Sequence, residues 1–284
     1  MADLLKGKAV ADSLNETTKA KVNVLKEKGI EPCLAIFRIG ENPSDLSYEK
    51  GACKKAEECG VKVVKYVFEE GTEPYIYCDK LEEANIDPGI HGILMFRPLP
   101  KGFDEEKIRN MIDVRKDVDA CSDMSLSSVF INSDKGYAPC TARAVIELLD
   151  YYNIDVKGKN VVVLGRSLVI GKPVGMMLLN KNATLTICHS KTENLKEITK
   201  NADIVIAAIG KMEMLDKSYF KKGQTVIDVG IHYNEEKQKL CGDVLAEEVE
   251  SLVKTLSPVP GGIGSITSSV LIRQTVEACE KQNS

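Results

Sequence analysis

Apolar positions in the first half of the chain follow two periods in turn. Helical spacing marks residues 8–29 and 45–59, and short apolar or alternating runs mark residues 32–39, 61–68 and 92–96 as strands. Glycine ends both helical segments, which is a common helix stop signal. Strands that alternate with helices predict a parallel sheet, and ligands gather beyond the carboxyl ends of its strands.

The second half repeats this alternation with more continuous apolar runs. The predicted strands cover residues 160–164, 183–188, 204–208 and 226–229. Helical segments separate most of them, and a last helix is predicted over 267–280. Such a series of β-α units is the expected content of a nucleotide-binding domain of the Rossmann type. Residues 117–139 lack a strong period and predict a partly ordered connection before an amphipathic helix over 141–152.

The first of these later strands runs into a glycine-containing turn, VVVLGRSLVIGKP, at residues 161–173. A buried strand that ends in glycine and leads into a helix allows the backbone to approach a pyrophosphate, which the helix N-terminus attracts. The spacing is not G-x-G-x-x-G, because Ser167 replaces the middle glycine and Gly171 lies six residues after Gly165. Taken alone, the pattern fits an ordinary strand–helix turn equally well.

The end of the next strand bears on the choice of nucleotide. NAD sites usually carry an acidic residue there that binds the ribose 2′-hydroxyl. Here the strand is followed by His189, Ser190, Lys191 and Thr192, and no acid occurs before Glu193. Hydroxyl groups and cations suit a 2′-phosphate, so the sequence favours NADP over NAD. A solvated helix cap is the alternative interpretation of these residues.

The composition narrows the classes of protein to which the chain can belong. The 284 residues include 38 basic and 42 acidic ones, so the net charge of −4 implies no general attraction to nucleic acid or to an anionic membrane. No apolar run has the length of a bilayer-spanning helix, and no secretory signal is visible. Nine scattered cysteines without a C-x-x-C pair, together with three histidines, argue against a metal site and favour reduced thiols. We therefore expect a soluble cytoplasmic protein.

Several segments together resemble one known family. The motifs are GENP at 40–43, Tyr48, GILMFRPLP at 92–100, KDVD at 116–119, PCT at 139–141, the turn at 161–173, TICHSKT, VIDVGI, GDV and SPVPGGIGSIT. They occur in the order found in the bifunctional methylenetetrahydrofolate dehydrogenase/methenyltetrahydrofolate cyclohydrolase family. The resemblance implies a two-domain α/β protein, usually a homodimer, with a cleft between a folate-binding N-terminal domain (1–140) and a Rossmann-like, parallel-sheet NADP-binding domain (141–266). The C-terminal helix, 267–284, is expected to pack back on the first domain.

The resemblance also implies the site residues. Tyr48 and Asp119 match family residues that act on the folate. The full expected folate site is Tyr48, Ala52, Phe96, Arg97, Asp119, Pro260, Gly261 and Gly262. The expected NADP site is Gly165, Arg166, Ser167, Gly171, Pro173, His189, Ser190, Ile231 and Thr267.

Two catalytic positions depart from the family pattern. The family lysine, one helical turn after the tyrosine, is Ala52 here, and the family glutamine in GILMFRPLP is Phe96, followed by Arg97 in place of leucine. Lys55 returns to the face of Tyr48 one turn further on, so either Lys55 with Arg97 replaces the lost groups or Lys55 is simply solvated.

The two reactions of the family need different groups. Hydride transfer from 5,10-methylenetetrahydrofolate requires mainly proximity and orientation, whereas hydrolysis of the methenyl product requires proton transfer. We therefore predict a dehydrogenase with weak or absent cyclohydrolase activity. The alternatives are a fully bifunctional enzyme and a catalytically silent protein that binds folate or nucleotide.

Overall fold

The computed structural model describes residues 1–284 and divides into two compact units. We call them by their main sheets. The six-stranded unit contains residues 1–11 and 141–267, and the three-stranded unit contains residues 12–140 and 268–284. Each unit has a parallel sheet with helices between most successive strands, which confirms the predicted α/β class and its Rossmann-like parallel-sheet part.

The elements alternate along most of the chain. The strands are β1 (Asp3–Leu4), β2 (Cys33–Ile39), β3 (Lys62–Phe68), β4 (Gly92–Met95), β5 (Asn160–Leu164), β6 (Thr184–Cys188), β7 (Ile204–Ala207), β8 (Thr225–Asp228), β9 (His232–Asn234), β10 (Lys239–Cys241) and β11 (Thr255–Leu256). The α-helices are α1 (Gly7–Glu27), α2 (Pro43–Cys59), α3 (Pro74–Ile86), α4 (Glu105–Arg109), α5 (Asp123–Phe130), α6 (Cys140–Tyr151), α7 (Gly171–Asn180), α8 (Leu195–Asn201), α9 (Ala246–Val249) and α10 (Thr267–Gln282).

The sheet of the three-stranded unit has the order β3-β2-β4, with all pairs parallel. Because β2 is the central strand and is covered on both faces, its apolar run is continuous rather than alternating. Phe37 of β2 stacks on Tyr66 with ring centroids 4.4 Å apart and meets the edge of the fully buried Tyr77 at 5.5 Å. These rings form the centre of this unit's core.

The sheet of the six-stranded unit has the order β1-β11-β8-β7-β5-β6, again all parallel. The chain leaves β5 for β6 on one side and then crosses to β7 on the other side. The order therefore reverses between β5 and β7, where open α/β sheets form their ligand crevice. Leu164, Ala207 and Asp228 are in register, so the turns after these three strands begin at one level.

Three features differ from the sequence predictions. Residues 1–11 belong to the six-stranded unit rather than to the first domain, because β1 pairs in parallel with β11 and the Ala2 N–H donates to the Glu250 carbonyl at 2.7 Å. An additional hairpin, β9-β10, follows β8. Helix α5, whose first turn is capped by Ser122, occupies part of the expected connection at 117–139.

Candidate active site

The candidate folate residues of the three-stranded unit come from three segments. Helix α2 carries Tyr48 and starts at Pro43, after Asn42 caps it by accepting the Ser44 N–H at 2.9 Å. Phe96 and Arg97 follow the carboxyl end of β4, where the Arg97–Pro98 peptide is cis. Asp119 lies two residues beyond a bridge between Ile93 of β4 and Asp117. Because this bridge is parallel, Asp119 lies level with Met95, the last residue of β4, so all three segments lie at the carboxyl end of the sheet.

Tyr48 and Phe96 are in direct contact. Their ring centroids are 5.9 Å apart and the rings are perpendicular, the edge-to-face geometry that aromatic pairs favour. Burial raises the pKa of the Tyr48 hydroxyl well above its ordinary value, and the neighbouring Cys140 and Asp119 act in the same direction. Tyr48 is therefore a neutral phenol at physiological pH, able to donate or accept one hydrogen bond.

Asp119 has both a fixed backbone partner and a nearby cation. Its carboxylate accepts the Cys140 N–H at 2.9 Å. Burial raises the pKa of Asp119, while the Cys140 hydrogen bonds and the Arg97 guanidinium oppose that shift. The structure thus brings Tyr48, Phe96, Arg97 and Asp119 together in one cluster.

Buried polar groups outside the expected folate site hold this cluster in place. Asp117 accepts the Cys121 and Ser122 N–H groups at 3.0 and 2.9 Å, fixing the chain just beyond Asp119. Gln274 of α10 donates to the carbonyls of Val118 and Ala138 at 2.7 and 3.0 Å. Gln274 lies among apolar residues of α10, but the helix also buries Ser269 and Thr275, so the sequence alone did not distinguish it.

Ala52 lies where the resemblance implies a lysine, and Lys55 is the residue that could replace that lysine. Ala52 is fully buried. Lys55 forms an ion pair with Glu58 at 2.7 Å on the partly exposed side of α2. This ion pair engages the ammonium group of Lys55, and a role for Lys55 in the site stays a prediction.

In the six-stranded unit, the turn after β5 is shaped by glycine. Gly165 has a φ of +123°, and a Cβ there would overlap the carbonyl oxygen of Ala208. A Cβ on Gly171, the first residue of α7, would overlap the carbonyl oxygen of Gly165. Arg166 and Ser167 lie exposed between them, and Pro173 is buried in the first turn of α7. The turn thus forms a tight backbone cradle in front of a helix N-terminus.

The turn after β6 is fixed by its own side chains. The His189 N–H donates to Thr192 Oγ1 at 2.9 Å, and the Lys191 N–H donates to His189 Nδ1 at 3.1 Å. His189 Nδ1 is thus an acceptor, so the neutral ring carries its proton on Nε2. Ser190 and Lys191 remain exposed, with no carboxylate among the first four residues after the strand.

The remaining predicted residues lie on loops of the same unit. Ile231 follows β8 and is 63% exposed. Pro260 follows a cis peptide bond, the Gly261 carbonyl accepts the Gly7 N–H at 2.8 Å, and Gly262 is buried. Thr267 opens α10 and donates to the Gly264 carbonyl at 3.3 Å.

The structure contains neither disulfide bonds nor a cluster of metal ligands. All nine cysteines are free thiols, and no group of three or more acidic, cysteine or histidine side chains is arranged to hold a metal ion. None of the helices combines the length and the apolar character needed to cross a bilayer.

The fold and the glycine cradle define the class: a two-unit α/β protein with a Rossmann-type dinucleotide-binding unit. The family models for the catalytic domain and the NAD(P)-binding domain of tetrahydrofolate dehydrogenase/cyclohydrolase match residues 5–119 and 139–283. The chain belongs to the tetrahydrofolate dehydrogenase/cyclohydrolase family, as the sequence motifs predicted.

Individual relatives cover the whole chain. The bifunctional protein FolD of Carboxydothermus hydrogenoformans is 47% identical over 284 residues, 100% of this chain and 99% of the relative. The crystal structure of the bifunctional FolD of Campylobacter jejuni is similar, with a TM-score of 0.95, 37% identity and 99% of both chains covered. The Trypanosoma brucei FolD structure, described as complexed with NADP cofactor and an inhibitor, has a TM-score of 0.92 and 29% identity, over 99% of this chain and 98% of that chain.

Proposed function

We propose that this protein is an NADP-dependent methylenetetrahydrofolate dehydrogenase in one-carbon metabolism whose methenyltetrahydrofolate cyclohydrolase activity is weak or absent. One observation carries the second half of this proposal. Tyr48 contacts the ring of Phe96, and the fully buried Ala52 lies one helical turn away, where the family resemblance implies a lysine. Neither Ala52 nor Phe96 can move a proton.

The residues present fit a bound dinucleotide. A Cβ would fill the cradle at Gly165 and Gly171, which leaves the backbone open to a pyrophosphate next to the N-terminus of α7. When NADP is bound, its nicotinamide supplies the hydride acceptor. Gly165, Ser167 and Gly171 would hold the pyrophosphate that joins the two halves of the nucleotide. Ile231, after β8, and Thr267, the first residue of α10, are further candidates for contact with it.

The turn at 189–192 supports NADP over NAD. Its internal hydrogen bonds leave Ser190 and Lys191 exposed, and the exposed Arg166 follows the neighbouring strand. Hydroxyl groups and cations can bind a 2′-phosphate, whereas the carboxylate that would bind a free 2′-hydroxyl is missing at this position.

The dehydrogenase reaction needs little acid–base chemistry from the chain. When the methylene carbon loses hydride, the neighbouring folate nitrogens stabilise the cation, so positioning contributes most of the catalysis. Asp119 is held by the Cys140 N–H and is suited to accept hydrogen bonds from the pterin. The neutral Tyr48 hydroxyl adds one polar contact in a largely apolar surrounding. We expect these groups to bind and orient the folate.

The cyclohydrolase reaction needs more. Addition of water to the methenyl carbon and opening of the ring require proton transfers, and a positioned acid–base group contributes roughly 10²- to 10⁴-fold. The guanidinium of Arg97 is a hydrogen-bond donor without an acceptor site and is unsuited to act as a base, and Lys55 is paired with Glu58. The rival function is the complete bifunctional reaction, which the names of the relatives at 43–47% identity favour.

A paired assay on one preparation separates these functions. NADPH formation from methylenetetrahydrofolate tests the dehydrogenase, and NAD in place of NADP tests the nucleotide preference. Loss of methenyltetrahydrofolate absorbance without nucleotide tests the cyclohydrolase. We expect NADPH formation and hydrolysis at the buffer rate. Hydrolysis far above that rate would establish the bifunctional enzyme, and absence of both activities would indicate a silent binding protein.

We also propose a cytoplasmic homodimer. The nine free cysteines suit a reducing compartment. Strand β3 is an edge strand of its sheet and exposes Val67 to 54%, which offers an apolar edge to a second copy. Sedimentation equilibrium of the wild type and of Val67→Lys tests the dimer: we expect the mass of two chains for the former and a shift towards one chain for the latter.

A further inference from the structure

Two buried carboxylates lie at the carboxyl edge of the six-stranded sheet and take no part in the function as described so far. Asp228 is the last residue of β8 and Asp243 lies in the turn after β10; their side chains are 3% and 0% exposed. No lysine or arginine forms an ion pair with either within 4.0 Å. They are instead surrounded by backbone N–H donors, so they organise loops rather than neutralise cations.

Asp243 gathers the loop that follows β7. Its Oδ2 accepts the N–H groups of Ile209 and Gly210 at 2.7 and 3.1 Å, and its Oδ1 accepts the Lys211 N–H at 2.9 Å. Three consecutive N–H groups directed at one carboxylate form an anion-binding nest, and here the chain fills the nest with its own side chain. The loop therefore has one set position relative to Asp243.

The same carboxylate fixes the loop that follows β8. His232 Nε2 donates to Asp243 Oδ1 at 2.8 Å. Asp228 accepts the N–H groups of Gly230 and Asp243 at 3.0 and 3.1 Å. Ile231 is thus held between two anchored neighbours while its own side chain is exposed.

Glycines make this arrangement possible and show how tightly it is packed. A Cβ on Gly230 would overlap the Asp243 carboxylate, and a Cβ on Gly242 would overlap the Asp228 carboxylate. Neither glycine has the positive φ that would otherwise account for it. Both positions are therefore glycine because a carboxylate occupies the space of the side chain.

The loops tied together in this way lie beside the crevice. Strand β7 adjoins β5, whose turn forms the cradle, and β8 adjoins β7 on the side away from β6. The adenosine end of a dinucleotide lies towards β6, so the loops after β7 and β8 line its nicotinamide end. Resting on the proposed function, we propose that Asp243, assisted by His232, is a positioning residue that sets these two loops for the nicotinamide half of NADP.

Two nucleotides measure this role without folate or turnover. NADP contacts both halves of the site, whereas adenosine 2′,5′-bisphosphate lacks the nicotinamide half. Asp243→Asn turns an amide N–H₂ towards backbone N–H donors and leaves at least one unpaired. By calorimetry we expect the dissociation constant of NADP to rise about tenfold while that of adenosine 2′,5′-bisphosphate changes less than about twofold. Equal weakening of both ligands, or no change in either, would overturn the proposal.

A second variant and a matched control guard against a general loss of structure. His232→Phe removes one hydrogen-bond donor to Asp243 from a partly exposed position. It should raise the dissociation constant of NADP more than that of adenosine 2′,5′-bisphosphate, but by less than Asp243→Asn does. Gln224→Met breaks three hydrogen bonds of similar length, to Lys221, Thr199 and Ala202, at the start of β8. Gln224→Met should lower the melting temperature and change the dissociation constants of the two nucleotides equally. If it weakened NADP selectively, to the same extent as Asp243→Asn, that result would also overturn the proposal. A wild type that binds both nucleotides but does not oxidise methylenetetrahydrofolate would refute the proposed function and leave this comparison intact.

Discussion

The two units of the molecule build their candidate sites from different materials. In the six-stranded unit the site consists mostly of backbone: the cradle at Gly165 and Gly171, and loops whose N–H groups are held by Asp243. In the three-stranded unit it consists of side chains on a rigid frame, namely Tyr48, Phe96 and Asp119.

This difference bears on how a family member changes activity. A backbone site is lost as a whole when its glycines change, because the strand–turn–helix path itself is altered. A side-chain site loses single chemical steps while its frame persists. Ala52 and Phe96 both fit the apolar packing of the three-stranded unit, so we infer that this chain kept its binding sites and lost a proton-transfer step.

The largest expected effect breaks the backbone site. Gly165→Ala places a Cβ against the Ala208 carbonyl at a φ of +123°. Strain and overpacking together cost about 3 kcal/mol, on the order of a hundredfold in NADP affinity. Calorimetry with NADP measures it. Gly223→Ala is the matched control, because Gly223 also has a positive φ, +90°, but faces open space. Equal affinities in the two variants would contradict the cradle.

A smaller effect is expected from the side-chain site. Asp119→Asn removes the charge beside Arg97 and weakens the hydrogen bonds that the carboxylate can accept. We expect kcat/KM for methylenetetrahydrofolate to fall about thirtyfold while the dissociation constant of NADP stays the same. Steady-state kinetics with the exposed Asp134→Asn as control measure this. A parallel loss of NADP affinity would show that the two sites are not independent in this respect.

The buried carboxyl group of Asp228, in the six-stranded unit, predicts a pH effect on stability. Burial raises the pKa of Asp228 from 3.8 to about 7, against three opposing N–H hydrogen bonds. Since the folded state holds this proton more tightly than the unfolded state, the stabilising contribution is complete below pH 4 and is lost as the pH rises through 7. In urea unfolding from pH 4 to 8, the free energy of unfolding of the wild type should fall relative to that of Asp228→Asn. A constant difference would contradict the shift.

The smallest effect concerns Lys55. Lys55→Met removes a partly exposed pair with Glu58 and should change the free energy of unfolding by no more than about 0.5 kcal/mol. It should leave both folate reactions as they are in the wild type. A specific loss of methenyltetrahydrofolate hydrolysis would show that Lys55 takes part in that reaction.

The regular parts of the fold could be predicted because their patterns are local. The runs at 160–164 and 204–208 correspond to β5 and β7 within one residue. Strand β1 could not be predicted, because a two-residue strand has no period and forms only by pairing with β11, about 250 residues away. Helix α5 was missed because its serines resemble those of a loop, although Ser122 caps it.

The candidate site shows the same limit. The cradle and the cluster around Tyr48 follow from motifs that occupy contiguous residues. Lys55 was placed on the face of Tyr48 by helical spacing alone, which does not reveal that Glu58, three residues away, binds it. The pairing of Asp243 with residues 209–211 and with His232 joins segments more than ten residues apart, so no local pattern contains it. The only visible signs were an acid, Asp228, inside the apolar run at 226–229 and another, Asp243, in the GDV motif.

We infer that Ala52 and Phe96 remove the proton-transfer step and leave hydride transfer intact. The decisive measurement is hydrolysis of methenyltetrahydrofolate without nucleotide, compared between the wild type and the Ala52→Lys, Phe96→Gln double variant. NADPH formation by both proteins shows that they are folded. We predict that the wild type hydrolyses at the buffer rate and that the double variant gains on the order of 10²-fold or more. A wild type that already hydrolyses methenyltetrahydrofolate far above the buffer rate would show that the proton-transfer step was not lost.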